Sequence, residues 1–121
     1  MSCFTLGDSI ALGLALISPC EHSAKVGISS AAVARYNVPQ RDVTVISAGS
    51  NDPANPKLRN NLIAIRKKAH NIVVWIVPQN GRAAYVVRSV AGSYGDRTAT
   101  FKPSRDGVHP RSYRELKKAV F

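Results

Sequence analysis

Apolar residues along this chain alternate between short runs of extended character and longer stretches where they recur at helical spacing. Cys3, Phe4, Thr5 and Leu6 favour a strand, Gly7 permits a tight turn, and Asp8 or Ser9 can cap a helix that opens with the apolar run 10–17. A turn at Pro19 and residues 21–23 leads to a short strand, 24–28, that puts Gly27 at a strand end. Ser29 or Ser30 then caps a small helix through 31–34, which stops before Pro39. Residues 42–48 are β-branched and apolar on both faces, the pattern of a parallel strand covered by helices on both sides.

That strand ends in a loop of turn formers, residues 49–53. Asn55 and Pro56 read as N-cap and first residue of a helix reaching about His70, with Leu58, Leu62, Ile65 and Ala69 as its apolar stripe. Residues 72–77 form a second buried strand closed by Pro78. A helix follows from about Arg82 to Ala91, with Gly92 as its C-terminal cap. Residues 98–101 make a short strand and 102–110 a loop. The last helix presents Tyr113, Leu116 and Val120 at helical spacing, with Ser112 and Glu115 as a capping box.

The order is βα repeated, which predicts a parallel sheet between helix layers, with right-handed crossovers and all strand carboxyl ends on one edge. Ligands bind at that edge in open α/β sheets. Ser9, Gly27, residues 49–52 and the loop of Asp106 and His109 converge on it.

The length of 121 residues suits one domain, 1–121, and leaves room for about five strand-helix units. Hydrophobic residues make up 45%, and no repeat or low-complexity tract occurs, so disordered and solenoid readings drop out. Seventeen Lys and Arg against seven Asp and Glu give a net charge of +10. Such an excess attracts polyanions: nucleic acid, anionic lipid headgroups or anionic cell-wall polymers. The basic residues are scattered and aromatic residues do not interleave with them, which argues against a specific nucleic-acid platform. Cys3 and Cys20 match no metal spacing and make no disulfide framework; two buried free thiols are expected.

The apolar run 10–17 is not an evident signal peptide, because no Lys or Arg precedes it, Pro19 sits next to the would-be scissile bond, and cleavage would discard Ser9. No stretch approaches the length of a transmembrane segment. The sequence leaves the compartment open between the cytoplasm and delivery by another route, such as a phage or secretion particle.

Ser9 alone reads equally well as a helix N-cap. As a nucleophile it needs a base and an acid that orients the base. Of three histidines, only His109 falls on the predicted edge beside an acid, Asp106; His22 lies in a polar turn and His70 at a helix end. An oxyanion would be met by the Ser9 and Gly27 backbone N–H groups and the Asn51 side-chain amide. Separately, Gly27 reads as a turn glycine and Asn51 as part of an ordinary loop.

Together, Gly7-Asp8-Ser9-Ile10-Ala11-Leu12-Gly13, Gly27-Ile28-Ser29, Gly49-Ser50-Asn51-Asp52 and Asp106-Gly107-Val108-His109-Pro110 resemble, in order, the four signature blocks of the SGNH hydrolases, or GDSL esterases and lipases. The resemblance implies a flavodoxin-like three-layer α/β/α sandwich with a five-stranded parallel sheet and a serine esterase that needs no metal or cofactor. It implies Ser9 as nucleophile and oxyanion donor, Gly27 and Asn51 as further oxyanion-hole donors, His109 as base then acid, and Asp106 as its orienting acid. Lys25 stands where an Asn is common, and Ser30 replaces a frequent second glycine. The chain is short for the family, which suggests a shallow site for short acyl (acetyl) groups on carbohydrate, on a cell-wall polymer or on small esters. Two alternatives stay open: a non-catalytic anion- or polysaccharide-binding module on the same scaffold, and a lysophospholipase-type lipid esterase.

Overall fold

A computed structural model describes residues 1–121 as strands and helices in strict alternation: β1 (Cys3–Gly7), α1 (Ser9–Ala15), β2 (Glu21–Ala24), α2 (Ser30–Val33), β3 (Val43–Ser47), α3 (Leu58–Lys68), β4 (Ile72–Ile76), α4 (Gly81–Tyr94), β5 (Arg97–Ala99) and α5 (Tyr113–Val120). All neighbouring strands pair in parallel, in the order β2-β1-β3-β4-β5. The result is a three-layer α/β/α sandwich with a five-stranded parallel sheet in the flavodoxin-like strand order. The strand order reverses between β1 and β3, the point outside whose carboxyl ends open α/β sheets bind ligands.

Strand alternation sorts the core into two layers. Phe4, Leu6, Ile46, Val73 and Trp75 face α2, α3 and α4, where they meet Val33, Leu58, Leu62, Ile65, Val87 and Val90. Val43, Val45, Val74 and Ile76 face α1 and α5 and meet Ile10, Leu14, Leu116 and Val120. Fully burying such side chains contributes about 1.5–3 kcal/mol each. One polar cluster is set into the larger layer: Arg66 makes two bonds to Asp96, at 2.6 and 3.0 Å, and the Trp75 indole N–H donates to the same carboxylate at 3.0 Å.

Several boundaries differ from those expected. The second strand runs over Glu21–Ala24, not 24–28, because its register is set by β1: Phe4 lies opposite Glu21 and Gly7 opposite Ala24. Cys3 and Cys20 are joined in a disulfide, correcting the expected free thiols, and the bond ties the start of β1 to the residue before β2. Asn55 does not cap α3. Its side chain accepts the Lys57 N–H and donates to Asp52, an Asx turn that delays the helix to Leu58. The fourth helix runs past Gly92 to Tyr94, because Gly95, at φ +67°, is the left-handed cap. Ser112 caps α5 as expected, but Glu115 turns to Arg111 and does not close the box. No helix is long and apolar enough to cross a membrane.

Candidate active site

The turn after β1 is shaped by crowding. Gly7 has φ +140°, and a Cβ there would lie 1.8 Å from the Ser47 carbonyl oxygen, so only glycine lets β1 end against β3 in this way. The Asp8 N–H donates to that same oxygen at 3.0 Å. Asp8 is the N-cap of α1: its Oδ1 accepts the Ile10 and Ala11 N–H groups and the Ser47 hydroxyl at 2.8 Å. Its other oxygen, Oδ2, is buried without a partner. Burial pushes the Asp8 carboxyl above its ordinary value, against the opposing pull of Ser47 and the two amides.

With Asp8 committed to the cap, the Ser9 side chain is free to point elsewhere. Its Oγ lies 2.8 Å from Nε2 of His109. The His109 Nδ1 lies 2.6 Å from Oδ2 of Asp106. Oδ1 of Asp106 accepts the Val108 and His109 N–H groups at 2.8 and 2.9 Å and the Ser104 hydroxyl at 2.8 Å. Those amides, first that of Val108 and then that of His109, hold the Asp106 carboxyl well below the usual carboxylate range, with the imidazole and Ser104 adding to the effect. A permanent carboxylate facing Nδ1 selects the tautomer with hydrogen on Nδ1, which leaves Nε2 as an acceptor for the Ser9 hydroxyl. The loop itself is closed by Ser104 N–H to His109 C=O at 2.8 Å and Arg111 N–H to Lys102 C=O at 2.7 Å.

Gly27 lies in the exposed turn beyond β2, three residues past the strand end, and its N–H makes no hydrogen bond within the chain. Asn51 is also exposed; its Nδ2 donates to the Ile28 carbonyl at 2.9 Å, which leaves a second amide hydrogen unused. Thus Ser9, His109 and Asp106 are drawn into one hydrogen-bonded chain. Asn51 is linked to the Gly27 turn, and neither Gly27 nor Asn51 is bonded to Ser9. His22 lies on the exposed edge strand β2 and His70 just beyond α3, and neither is paired with an acid.

Several supporting contacts escaped sequence reasoning. Ser30 is fully buried and joins Asp52 through its N–H and its hydroxyl, at 3.0 and 2.6 Å, while Asn61 donates to the hydroxyl at 3.0 Å. This locks the Gly27 turn to the Asn51 loop. Arg82 holds the far side of that loop by donating to the Pro53 carbonyl at 2.8 Å. The Tyr113 ring lies against Gly13, where a Cβ would sit 2.4 Å from Cε1. Burial first, then the negative charges of Asp8 and Asp106, raise its phenol above the ordinary value. Adjacency was the available signal: Ser30 and Asp52 directly follow Ser29 and Asn51.

Two depressions are formed by the loops described above. A cleft of about 270 Å³ lies between the loops of Ser50, Gln79 and Val108. A groove of about 440 Å³ runs along the Gly27 turn, lined among others by Lys25, Arg35 and Tyr36. No cluster of His, Cys, Asp or Glu is arranged to hold a metal ion.

No protein-family model matches the chain, and no curated protein matches it. Among solved structures it is similar to the C-terminal catalytic domain of Streptococcus pneumoniae peptidoglycan O-acetyltransferase A (OatA), determined with a methylsulfonyl adduct. The TM-score is 0.58, with 15% identity, over 98% of this chain and 86% of that one. At that identity the likeness is one of fold.

Proposed function

We propose that the protein is a serine-dependent esterase that removes short acyl groups, acetyl above all, from a carbohydrate or cell-wall polymer through an acyl-enzyme. The observation that carries this reading is the unbroken chain from Ser9 Oγ through His109 to Asp106, at 2.8 and 2.6 Å. In this mechanism His109 Nε2 takes the Ser9 proton as Oγ attacks the ester carbonyl. The Ser9 and Gly27 N–H groups and the free Asn51 amide hydrogen receive the oxyanion. The tetrahedral adduct collapses as His109 returns the proton to the departing alcohol. Water, activated by the same imidazole, then releases the acid and restores Ser9. Each such oxyanion donor contributes about 2.7–4 kcal/mol of barrier lowering.

The polymer part of the reading draws support from the similar fold of a domain named for peptidoglycan O-acetyl transfer and from the net charge of +10. The triad geometry favours an enzyme over a binding module on the same scaffold. The parent protein should hydrolyse p-nitrophenyl acetate and react covalently with a fluorophosphonate probe, and Ser9→Ala should do neither. A Ser9→Ala protein as active as the parent, or a parent inert to both reagents, overturns the proposal.

A further inference from the structure

The turn that forms this groove carries Gly27, the proposed oxyanion donor, and is bonded to two loops of the proposed reaction centre. At one end the Lys25 N–H donates to the Gly7 carbonyl at 3.0 Å, two residues before Ser9. At the other the Ile28 carbonyl accepts the Asn51 amide at 2.9 Å. A chain lying in this groove would therefore rest against Gly27, beside the position proposed for the oxyanion.

The groove is chemically one-sided. Lys25 and Arg35 are exposed in its wall, and no acidic residue lines it. Neither cation enters any of the chain's ion pairs. Other basic groups near this end of the molecule are already occupied: Arg41 is paired with Glu21, and Lys68 donates to the Ala34 and Tyr36 carbonyls. Half of the residues lining the groove are apolar or aromatic, among them Val26, 67% exposed, and Tyr36, half-buried and packed against the core. An apolar and aromatic floor suits the faces of sugar rings, and free cations in the wall suit anionic substituents on them.

We infer that this groove binds an anionic segment of the acyl-bearing chain, so that Lys25 and Arg35 select esters carried on polyanionic glycans over esters carried on neutral ones. The inference rests on the esterase reading and adds the substrate class and the residues that choose it. The shared chemistry is a repeating anion, either a carboxylate on the sugar or a phosphodiester between units.

The test compares acetylated oligogalacturonate with acetylated xylo-oligosaccharide, in the parent and in Lys25→Gln/Arg35→Gln. The ratio of kcat/KM values, anionic over neutral, should fall about tenfold or more in the double variant, mainly through KM, and Lys25→Arg should keep it. The parent's ratio should also shrink as salt is raised from about 0.05 to 0.5 M. A ratio within about twofold of the parent's in the double variant, or one insensitive to salt, overturns the inference. An independent arm titrates unacetylated oligogalacturonate and a glycerol phosphate oligomer into parent and double variant, followed by amide NMR. Shifts at Val26 to Ser29 that weaken in the double variant support the groove, and the stronger binder identifies the anion. Absence of shifts with both oligomers overturns it. Because this arm needs no turnover, a parent without esterase activity sinks the esterase reading while the groove is still decided by binding.

Discussion

Asp106 holds His109 by two separate bonds: Oδ2 meets the imidazole Nδ1 at 2.6 Å, and Oδ1 accepts the backbone N–H of the same residue at 2.9 Å. One carboxylate thus fixes both where the residue stands and how its ring is turned. Asp106→Asn should lower kcat on p-nitrophenyl acetate by about 10³- to 10⁴-fold, since the amide favours the wrong tautomer. The carboxyl's folded pKa is depressed, so its contribution to stability is present above the ordinary Asp value and lost as pH falls below it. The melting-temperature gap between parent and Asp106→Asn should therefore narrow on acidification below about pH 4. A gap that widens contradicts this assignment.

Asp8 has the opposite sign. Burial raises its folded pKa above 3.8, so the folded state binds its proton more tightly than the unfolded state does. Stability from this group is full below the ordinary value and is lost as pH rises through the folded one. Asp8→Asn keeps an Oδ1 for Ile10, Ala11 and Ser47 but cannot ionise. Its melting temperature relative to the parent should rise as pH goes from about 4 to 8. A flat difference would show that Asp8 is not titrating.

The turn before Ser9 can be tested with two glycines. Gly7→Ala drives a Cβ into the Ser47 carbonyl at 1.8 Å and strains a φ of +140°. It should cost about 3 kcal/mol or more in urea denaturation, or prevent folding. Gly92→Ala, within α4 and with no atom within 4 Å of the new Cβ, should instead stabilise by about 0.4–1 kcal/mol.

The Cys3–Cys20 bond closes a loop of sequence separation 17 around α1 and the serine it carries. Reduction, or the Cys3→Ser/Cys20→Ser pair, should cost about 3 kcal/mol, a drop in melting temperature on the order of 10 °C. Melts with and without reductant check it; the double variant should show no response to reductant.

The central strands were readable because β3 and β4 are apolar on both faces, which few alternatives explain. Strand β2 was misplaced for a physical reason. Glu21, His22 and Ser23 form a polar edge without hydrophobic alternation, and their position is imposed by β1 and the disulfide rather than by their own preference. Asp106 and His109 were readable because a short loop joins them. The partners of Asp8 and Asp52 were not, because Ser47 and Ser30 lie 39 and 22 residues away and a hydroxyl does not announce which distant acid it will meet.

The proposed acid and base are far from sealed: the Asp106 and His109 side chains remain 51% and 41% exposed. An acyl-enzyme formed beside them under the proposed mechanism would face bulk solvent and any dissolved alcohol alike. Its fate would then be a partition, with hydrolysis and transfer competing according to how long each acceptor dwells over the ester. Whether such a protein trims acyl groups or moves them would be set less by its catalytic atoms than by what the surrounding surface keeps close.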